Sequence, residues 1–300
     1  MTGQRVLIIG AGYIASHIAR RLATLGHTIV LSSRHESTPA GEQLGWLPVD
    51  VRERQSVHSL IRAACPDTVI TVHGPSDITW CEANPEQATA AHQRGASYLA
   101  EAFENGRIIA ISTDNVFPGH AESCGESAPT APANTYGRAK LAAENILLAT
   151  HNALALRVSL VYGWDSSGLR PNFFTTCAQQ LRAARPVVVP ADCWNTPVLA
   201  DDVAEWTAAL LDSAHTGVIH LGGPRRLTRL AWATHIAQTY GVDPDLVSAA
   251  PQESTGYACR PRNACLHSER AAGIPELAVL APMDVLEAST KLILTGEDYL

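Results

Sequence analysis

The sequence predicts an α/β fold in which a doubly wound parallel sheet carries a smaller, irregular C-terminal lobe. Three observations support this prediction. Short β-branched segments alternate with helical segments through the first half of the 300 residues. A glycine-rich turn follows the first of these strands at Gly10, and the alternation loosens after Gly163. Strand–helix alternation is typical of parallel sheets covered on both faces, so we expect a Rossmann-like sheet.

The elements of the sheet follow from hydrophobic patterning. Apolar, β-branched segments predict strands over residues 6–9, 28–33, 46–51, 68–72, 107–112 and 154–161. Helical spacing predicts helices over residues 11–25, 56–64, 85–103 and 134–150. Right-handed crossovers between successive strands would place these helices on both faces of the sheet.

The second half of the chain is less regular, and prolines are frequent from Pro244 onward. The same patterns predict helices over residues 173–184, 201–211 and 227–240, and strands over 187–189 and 218–221. We therefore expect residues 1–162 to form the sheet domain. Residues 163–300 are expected to form mainly a smaller lobe, with some segments returning to the sheet.

Composition excludes several classes of function. Lys plus Arg is 22 and Asp plus Glu is 29, giving a net charge of −7. Nucleic-acid binding is not expected, since it depends on neutralising phosphates. No transmembrane run or signal-peptide pattern is present, so we expect a cytoplasmic protein that does not bind membranes. The seven cysteines include no CxxC pair, which favours reduced thiols and no metal site.

The glycine turn at residues 10–15 reads GAGYIA, after the first predicted strand and at the start of the first predicted helix. In that position G-x-G-x-x-A is the dinucleotide-binding fingerprint. Gly10 permits the tight turn, and Gly12 lets the backbone approach a pyrophosphate. Free N–H groups at the helix start favour phosphates. We therefore predict that Gly10, Gly12, Tyr13 and Ile14 contact a dinucleotide.

The end of the second predicted strand indicates which dinucleotide is bound. Proteins that bind NAD usually place a carboxylate there to hold the ribose hydroxyls. This chain instead has Ser33 and Arg34, and Glu36 comes only later. An arginine beside hydroxyls suits a 2′-phosphate, so Ser33 and Arg34 favour NADP(H) over NAD(H).

A tyrosine and a lysine then provide an acid–base pair. Tyr136 and Lys140 form Y-x-x-x-K at the start of a predicted helix, on one face and one turn apart. A free phenol has a pKa of about 10, and a nearby ammonium lowers it, which improves general acid catalysis near neutral pH. Thr113 follows the strand predicted over 107–112. Its hydroxyl would lie where parallel sheets bind ligands, placed to donate to a substrate carbonyl.

These residues belong to a longer set of motifs. In order, the motifs are STDxVF at 112–117, TYGRxKxxxE at 135–144, RVSLVYG at 157–163, PVxxDDVA at 197–204, HLGG at 220–223 and RPRNxxL at 260–266. With this set the chain resembles the extended short-chain dehydrogenases/reductases and, within them, the dTDP-4-dehydrorhamnose reductase (RmlD-like) family. The resemblance spans nearly the whole chain.

The resemblance implies roles for the residues that match. Tyr136 would be the general acid, Lys140 would lower its pKa and hold the nicotinamide ribose, and Thr113 would orient the carbonyl. Further cofactor contacts would come from the ends of the third and fourth strands, namely Asp50 at the adenine, Val51, His73 and Gly74.

The chain also departs from the family pattern. The glycine turn is one residue shorter, and His92 stands where many relatives carry a relay Asn. Asn115 replaces a usual Tyr and Leu160 a usual Trp, at positions that face the substrate in the family. We therefore expect retained chemistry on a different substrate. The substrate-binding residues would be Asp114, Asn115, Leu160 and Arg260.

The predicted function is NADPH-dependent reduction of a keto group on a nucleotide-linked sugar or a similar polar ketone. Four arginines are candidates for a diphosphate, with Arg260 first because it lies in RPRN, followed by Arg225, Arg226 and Arg262. Two alternatives stay open: an NAD-dependent sugar-nucleotide epimerase or dehydratase, and a non-catalytic NADP-binding regulatory subunit. The partner is expected to be a small molecule, and formation of a homodimer is left open.

Overall fold

A computed structural model of the chain describes residues 3–36, 44–165 and 171–296. Its strands are β1 (Arg5–Ile9), β2 (Thr28–Ser33), β3 (Gly45–Pro48), β4 (Thr68–Thr71), β5 (Arg107–Thr113), β6 (Ala153–Val158), β7 (Val161–Tyr162), β8 (Val187–Pro190), β9 (Trp194–Asn195), β10 (Val198–Leu199), β11 (Gly217–Leu221), β12 (Leu227–Thr228), β13 (Val247–Ala250) and β14 (Asn263–Ala264).

Its helices are α1 (Tyr13–Thr24), α2 (Arg54–Ala64), α3 (Ile78–Ala83), α4 (Pro85–Thr89), α5 (Gly95–Ala102), α6 (Thr135–Leu148), α7 (Phe173–Arg182), α8 (Ala200–Leu211), α9 (Arg229–Tyr240), α10 (Pro275–Ala278) and α11 (Val285–Thr295). A π-helical segment, Ala90–Arg94, joins α4 to α5.

The central sheet has seven strands in the order β11-β6-β5-β4-β1-β2-β3, and its neighbours pair in parallel. Alternate residues of β1 enter opposite cores. Val6 and Ile8 pack with α1 and α8, while Leu7 and Ile9 pack with α2, α5 and α6. Because both faces of the strand are apolar, the sheet must be covered on both sides. The doubly wound Rossmann-like fold predicted from the sequence is confirmed.

The residues after β7 are divided between two places. The strand β11 pairs with β6 at the edge of the central sheet, and α8 packs beside α1. The other segments surround a separate aromatic core centred on Tyr162, Phe174 and Trp232. Three short sheets, β7–β10, β12–β9–β14 and β8–β13, complete this smaller lobe. Within the described ranges no helix is long and apolar enough to cross a membrane.

Several predicted boundaries were wrong. The helix predicted over 85–103 is interrupted by Ala90–Arg94, and α3 before it was not predicted. The strand predicted over 154–161 ends at Val158, opposite Leu221 at the end of β11, and Val161–Tyr162 pairs with β10 outside the central sheet. The third strand ends at Pro48, opposite the last residue of β2, rather than at 51. The helix predicted from 227 begins at Arg229, since Leu227–Thr228 pairs with β9.

Candidate active site

The candidate site lies at the carboxyl ends of the central strands. Sequential connections run from β1 towards β3 on one side of the sheet and from β4 towards β6 on the other. The order therefore reverses between β1 and β4, and doubly wound sheets bind ligands in the crevice at such a point. The glycine turn follows β1, and His73 and Gly74 follow β4.

The glycine turn forms an open cradle at this crevice. Gly10 has φ +121°, and a Cβ there would lie 3.0 Å from the carbonyl of Val72. Its N–H donates to Ser32 O at 2.8 Å, which fixes the turn against β2. Gly12 caps α1 without a side-chain hydrogen bond, and a Cβ there would meet no described atom within 4 Å. The first N–H groups of α1 and the space before them suit a phosphate.

The side chains that follow in α1 are already engaged. The Tyr13 hydroxyl donates to Val161 O at 2.8 Å, and burial, with smaller effects from Asp165 and Tyr136, raises the pKa of this phenol. Ile14 packs against the core beneath the helix. Tyr13 and Ile14 were predicted to contact a cofactor. Because their side chains are engaged elsewhere, that contact would come from their backbone N–H groups in the first turn of α1.

Polar side chains lie together at the ends of β2 and β3. The Ser33 hydroxyl accepts from Trp46 Nε1 at 3.2 Å and donates to the His35 carbonyl. Arg34 is exposed. Asp50 accepts from Arg52 Nε at 2.9 Å, and this pairing lowers the pKa of its carboxyl to about 2, with a smaller effect from Arg34. The Asp50 carboxylate is thus already paired with Arg52, whereas Arg34 lies nearby and is exposed. The neighbouring segment 37–43 is outside the described residues.

The helix α6 positions the tyrosine and the lysine. Asn134 caps it by accepting from Gly137 N at 2.7 Å, and a Cβ at Gly137 would collide with the carbonyl of Asn115. This close approach sets the helix start against the end of β5. Lys140 Nζ donates to Ile111 O at 2.5 Å, and burial lowers the pKa of this ammonium to about 8.

A buried ion pair supports the same helix. Glu144 accepts from Arg157 Nη2 at 2.5 Å and Nε at 3.1 Å, with both side chains nearly fully buried. Ser112 on β5 donates to the same carboxylate at 2.7 Å. Glu144 also favours the charged form of Lys140, which opposes the effect of burial on its pKa. This pair therefore ties α6 to β5 and β6 below the candidate site.

A buried network surrounds Thr113. Its hydroxyl donates to Asp114 Oδ1 at 3.1 Å and accepts from Asn115 N at 3.2 Å and Nδ2 at 3.3 Å. Ser159 Oγ donates to Asp114 Oδ2 at 3.1 Å. Burial raises the pKa of the Asp114 carboxyl to about 6. Thr113, predicted to hold the substrate carbonyl, is thus hydrogen-bonded to Asp114 and Asn115, which were predicted to bind the substrate.

Buried His92 lies beside Tyr136, and half-buried His73 lies next to His92. The π-helical segment places the His92 ring edge-on to the Tyr136 ring, with centroids 5.7 Å apart, and stacked with His73 at 6.4 Å. Gly74, with φ +99°, leaves the room that the His92 ring occupies. His92 Nε2 bonds to Pro75 O at 3.0 Å. Burial lowers the pKa of His73 to about 4 and of His92 to about 3, so both rings are neutral.

The smaller lobe contributes Arg260 and a residue that the sequence did not single out. Arg229 is 6% exposed, and its guanidinium lies over the rings of Phe173 at 4.8 Å and Tyr257 at 4.5 Å. Arg260 lies over the Tyr257 ring at 5.1 Å. The nearby Cys259 carbonyl accepts from Asn134 Nδ2 at 3.1 Å, which brings this segment to the start of α6. Nothing local in the sequence distinguishes Arg229 from a surface residue of its helix.

The other predicted substrate residues are placed differently. Leu160 packs against the aromatic core of the smaller lobe, next to the Ser159 that bonds Asp114. The remaining candidate arginines have local partners: Arg225 pairs with Asp284, Arg226 lies over Trp194 at 3.9 Å, and Arg262 pairs with Asp192 and Glu253. Among the residues that the structure describes, no group of three His, Cys, Asp or Glu side chains could hold a metal ion.

Comparison with known proteins decides the family. The model of the RmlD substrate binding domain matches residues 4–279. The chain belongs to this family. One relative, a probable low-salt glycan biosynthesis reductase, Agl14, of Haloferax volcanii, is 32% identical over 262 residues, covering 85% of this chain and 86% of the relative. The predicted family resemblance is confirmed.

Two further similarities cover most of the chain. The dTDP-4-keto-6-deoxy-D-glucose reductase of Streptomyces niveus is 27% identical over 268 residues, covering 87% of this chain and 88% of that protein. The structure of a dTDP-4-dehydrorhamnose reductase from Bacillus anthracis, in complex with NADP, aligns with a TM-score of 0.82 at 21% identity, covering 98% of this chain and all of that one. At that identity the structural likeness concerns the fold.

Proposed function

We propose that this RmlD-family chain is an NADPH-dependent reductase of a keto group on a nucleotide-linked sugar. The observation that carries the proposal is the position of α6 against the end of β5: Lys140 bonds to Ile111 O, and Gly137, next to Tyr136, lies against the carbonyl of Asn115, two residues after Thr113. The relatives named above as reductases of dTDP-linked keto sugars support this substrate class.

The crevice fits a dinucleotide. Gly12 leaves open space at a helix start that no side chain caps, which suits a pyrophosphate. Arg34 would meet a 2′-phosphate, because it is the exposed arginine at the end of β2, whereas Arg52 is paired with Asp50. His73 and Gly74 would line the opposite wall. A bound reduced nicotinamide would supply the hydride.

The protein would supply the proton and hold the carbonyl. Tyr136 would donate its phenolic proton to the alkoxide oxygen that forms when the carbonyl carbon accepts the hydride. Lys140, anchored to Ile111 O, would stabilise the resulting phenolate through its ammonium. Thr113 would donate a hydrogen bond to the same substrate oxygen, a contribution often worth about 2.7–4 kcal/mol in the transition state.

The substrate would extend from Thr113 into the smaller lobe. Arg229 is buried between aromatic rings, and its Nε has no hydrogen-bond partner within the described part of the chain. A buried guanidinium is costly unless an anion meets it. Arg229 and Arg260 flank the Tyr257 ring, so an anionic group of the substrate would bind beside that ring. On this proposal residues 1–162 hold the cofactor and residues 163–300 hold most of the substrate.

The proposal is tested by assaying NADPH oxidation with a set of nucleoside-diphosphate 4-keto-6-deoxy sugars. An Arg229→Met variant keeps the length of the side chain and removes its charge. We expect it to raise the KM for a nucleotide sugar with a smaller effect on kcat, because a remote anion contact binds ground state and transition state alike. Thr234→Val, elsewhere on α9, is the matched control. If none of the nucleotide sugars in the set caused NADPH to be oxidised, the proposed substrate class would be contradicted.

A further inference from the structure

We propose that Asp114 is a positioning residue that governs the proton of Thr113, so that reduction requires Asp114 in its protonated form. This inference rests on the proposed function, because it concerns the hydroxyl that would hold the substrate oxygen. It goes beyond the substrate contact expected of Asp114. The basis is the hydrogen-bond network of the two side chains.

The Thr113 hydroxyl has one proton and two lone pairs. Asn115 directs its backbone N–H at this oxygen at 3.2 Å, and its Nδ2 lies 3.3 Å from this oxygen and 2.8 Å from Asp114 Oδ1. The Thr113 hydroxyl donates its own proton to the same Oδ1, at 3.1 Å. An ionised carboxylate is a strong acceptor, and a hydrogen bond to it is about twice as strong as a neutral one. With Asp114 ionised, Thr113 is therefore not free to donate to a substrate.

The surroundings of Asp114 accommodate a proton on the carboxyl. Its other oxygen, Oδ2, lies 3.1 Å from Ser159 Oγ, which also lies 2.9 Å from the carbonyl of Ala264. If Asp114 carries a proton on Oδ2, it donates to Ser159, and Ser159 donates to Ala264. Every group then keeps a partner, while the neutral Oδ1 competes less strongly for the Thr113 proton.

The charged and titratable groups around Asp114 allow its carboxyl to be either protonated or ionised. The carboxyl is 4% exposed, and burial raises its pKa to about 6, while hydrogen bonds from Ser159, Thr113 and Asn115 oppose that effect. From α9, the Arg229 guanidinium favours the ionised form. From the segment after β14, Cys265 faces it as a neutral thiol, since burial raises the pKa of that thiol to about 11. The carboxyl would therefore change its protonation state close to neutral pH.

The decisive experiment is the pH profile of kcat in matched variants. In the wild type, kcat should fall as pH rises through about 6, by as much as tenfold for each further pH unit while the protonated form is the active one. Asp114→Asn cannot ionise, and its amide nitrogen can take the place of the protonated Oδ2 and donate to Ser159, so that decline should be absent. Ser159→Ala removes a donor to the ionised carboxylate and should move the decline to higher pH.

A second measurement needs no turnover. The infrared band of a protonated carboxylic acid should titrate in the wild type, be missing in Asp114→Asn and titrate at higher pH in Thr113→Val, which has lost its donor. A wild-type pH profile in Asp114→Asn, or an unshifted band in Thr113→Val, would overturn the coupling while leaving the reductase proposal intact. A wild type that reduces no keto sugar would overturn both.

Discussion

The ammonium of Lys140 donates to the carbonyl of Ile111 at 2.5 Å, across the gap between α6 and β5. This bond fixes the lysine relative to Thr113, two residues further along the same strand. The helix spacing places Tyr136 one turn before Lys140 on the same face. The three side chains thus share one rigid support, which the proposed proton donor, its charged neighbour and a carbonyl-binding hydroxyl would require.

Lys140 should produce a second decline at alkaline pH, above the one that we attribute to Asp114. Burial lowers the pKa of its ammonium to about 8, so the positive charge is present below that pH and lost above it. In Asp114→Asn, which lacks the first decline, we expect the rate of NADPH oxidation to fall as pH rises through about 8. Lys140→Arg keeps a charge that does not titrate in this range. A decline that persists unchanged in the arginine variant would assign it to another group.

Replacing Tyr136 with Phe should remove the proton donor and keep the ring. We expect turnover to fall by about 10² or more, the usual contribution of a general acid. The NADPH affinity, measured by fluorescence titration, should change little. Tyr98→Phe, in the core between α5 and the sheet, is the control and should leave turnover unchanged. Turnover in Tyr136→Phe equal to that of the control would rule out this proton donor.

Arg34 should decide the choice of cofactor. Hydrogen bonds to charged groups contribute about 1.5–3 kcal/mol, so Arg34→Ala should weaken NADPH binding by about tenfold or more. NADH lacks the 2′-phosphate and should bind nearly as before. Arg52→Ala is the control, because Arg52 is paired with Asp50 and should affect both cofactors alike. Titration of both cofactors checks this, and an equal loss for NADPH and NADH in Arg34→Ala would contradict it.

The buried Glu144–Arg157 pair should dominate the local stability. Glu144→Gln leaves the Arg157 guanidinium buried without its counter-charge, and breaking such a pair costs about 3–5 kcal/mol. Glu101→Gln breaks an exposed pair with Arg54 and should leave the free energy of unfolding nearly unchanged. Urea unfolding measures both free energies. Similar losses in the two variants would show that the buried pair contributes no more than a surface one.

The sequence predicted the parts of this structure that local patterns encode. The strand β2 lies over 28–33 as predicted, and the glycine turn lies between β1 and α1 as predicted. Both features could be predicted because each depends only on residues that are neighbours in the sequence. The π-helical segment was not foreseen, because five residues contain too few apolar positions for a wider turn to be recognised from their spacing. That segment determines where His92 lies relative to Tyr136.

Contacts between residues far apart in the sequence also could not be predicted. The Asp114 carboxyl bonds to Ser159, and Ser159 bonds to the carbonyl of Ala264, so three segments far apart in the chain meet there. The same holds for Arg229, whose aromatic neighbours come from α7 and from the segment before β14. A sequence read along its length shows which residues have reactive side chains, but their partners appear only when the chain folds.

The most direct test of the central claim follows the hydride. The purified protein would be incubated with NADPH carrying deuterium at C4 of the nicotinamide and with a dTDP-4-keto-6-deoxy sugar, and the product would be identified by mass spectrometry and NMR. The account predicts one deuterium on the carbon that bears the new hydroxyl, with stoichiometric NADP⁺ released. A protein that releases tightly held NAD on denaturation and interconverts sugar nucleotides without consuming NADPH would contradict it, and would identify an epimerase or dehydratase instead.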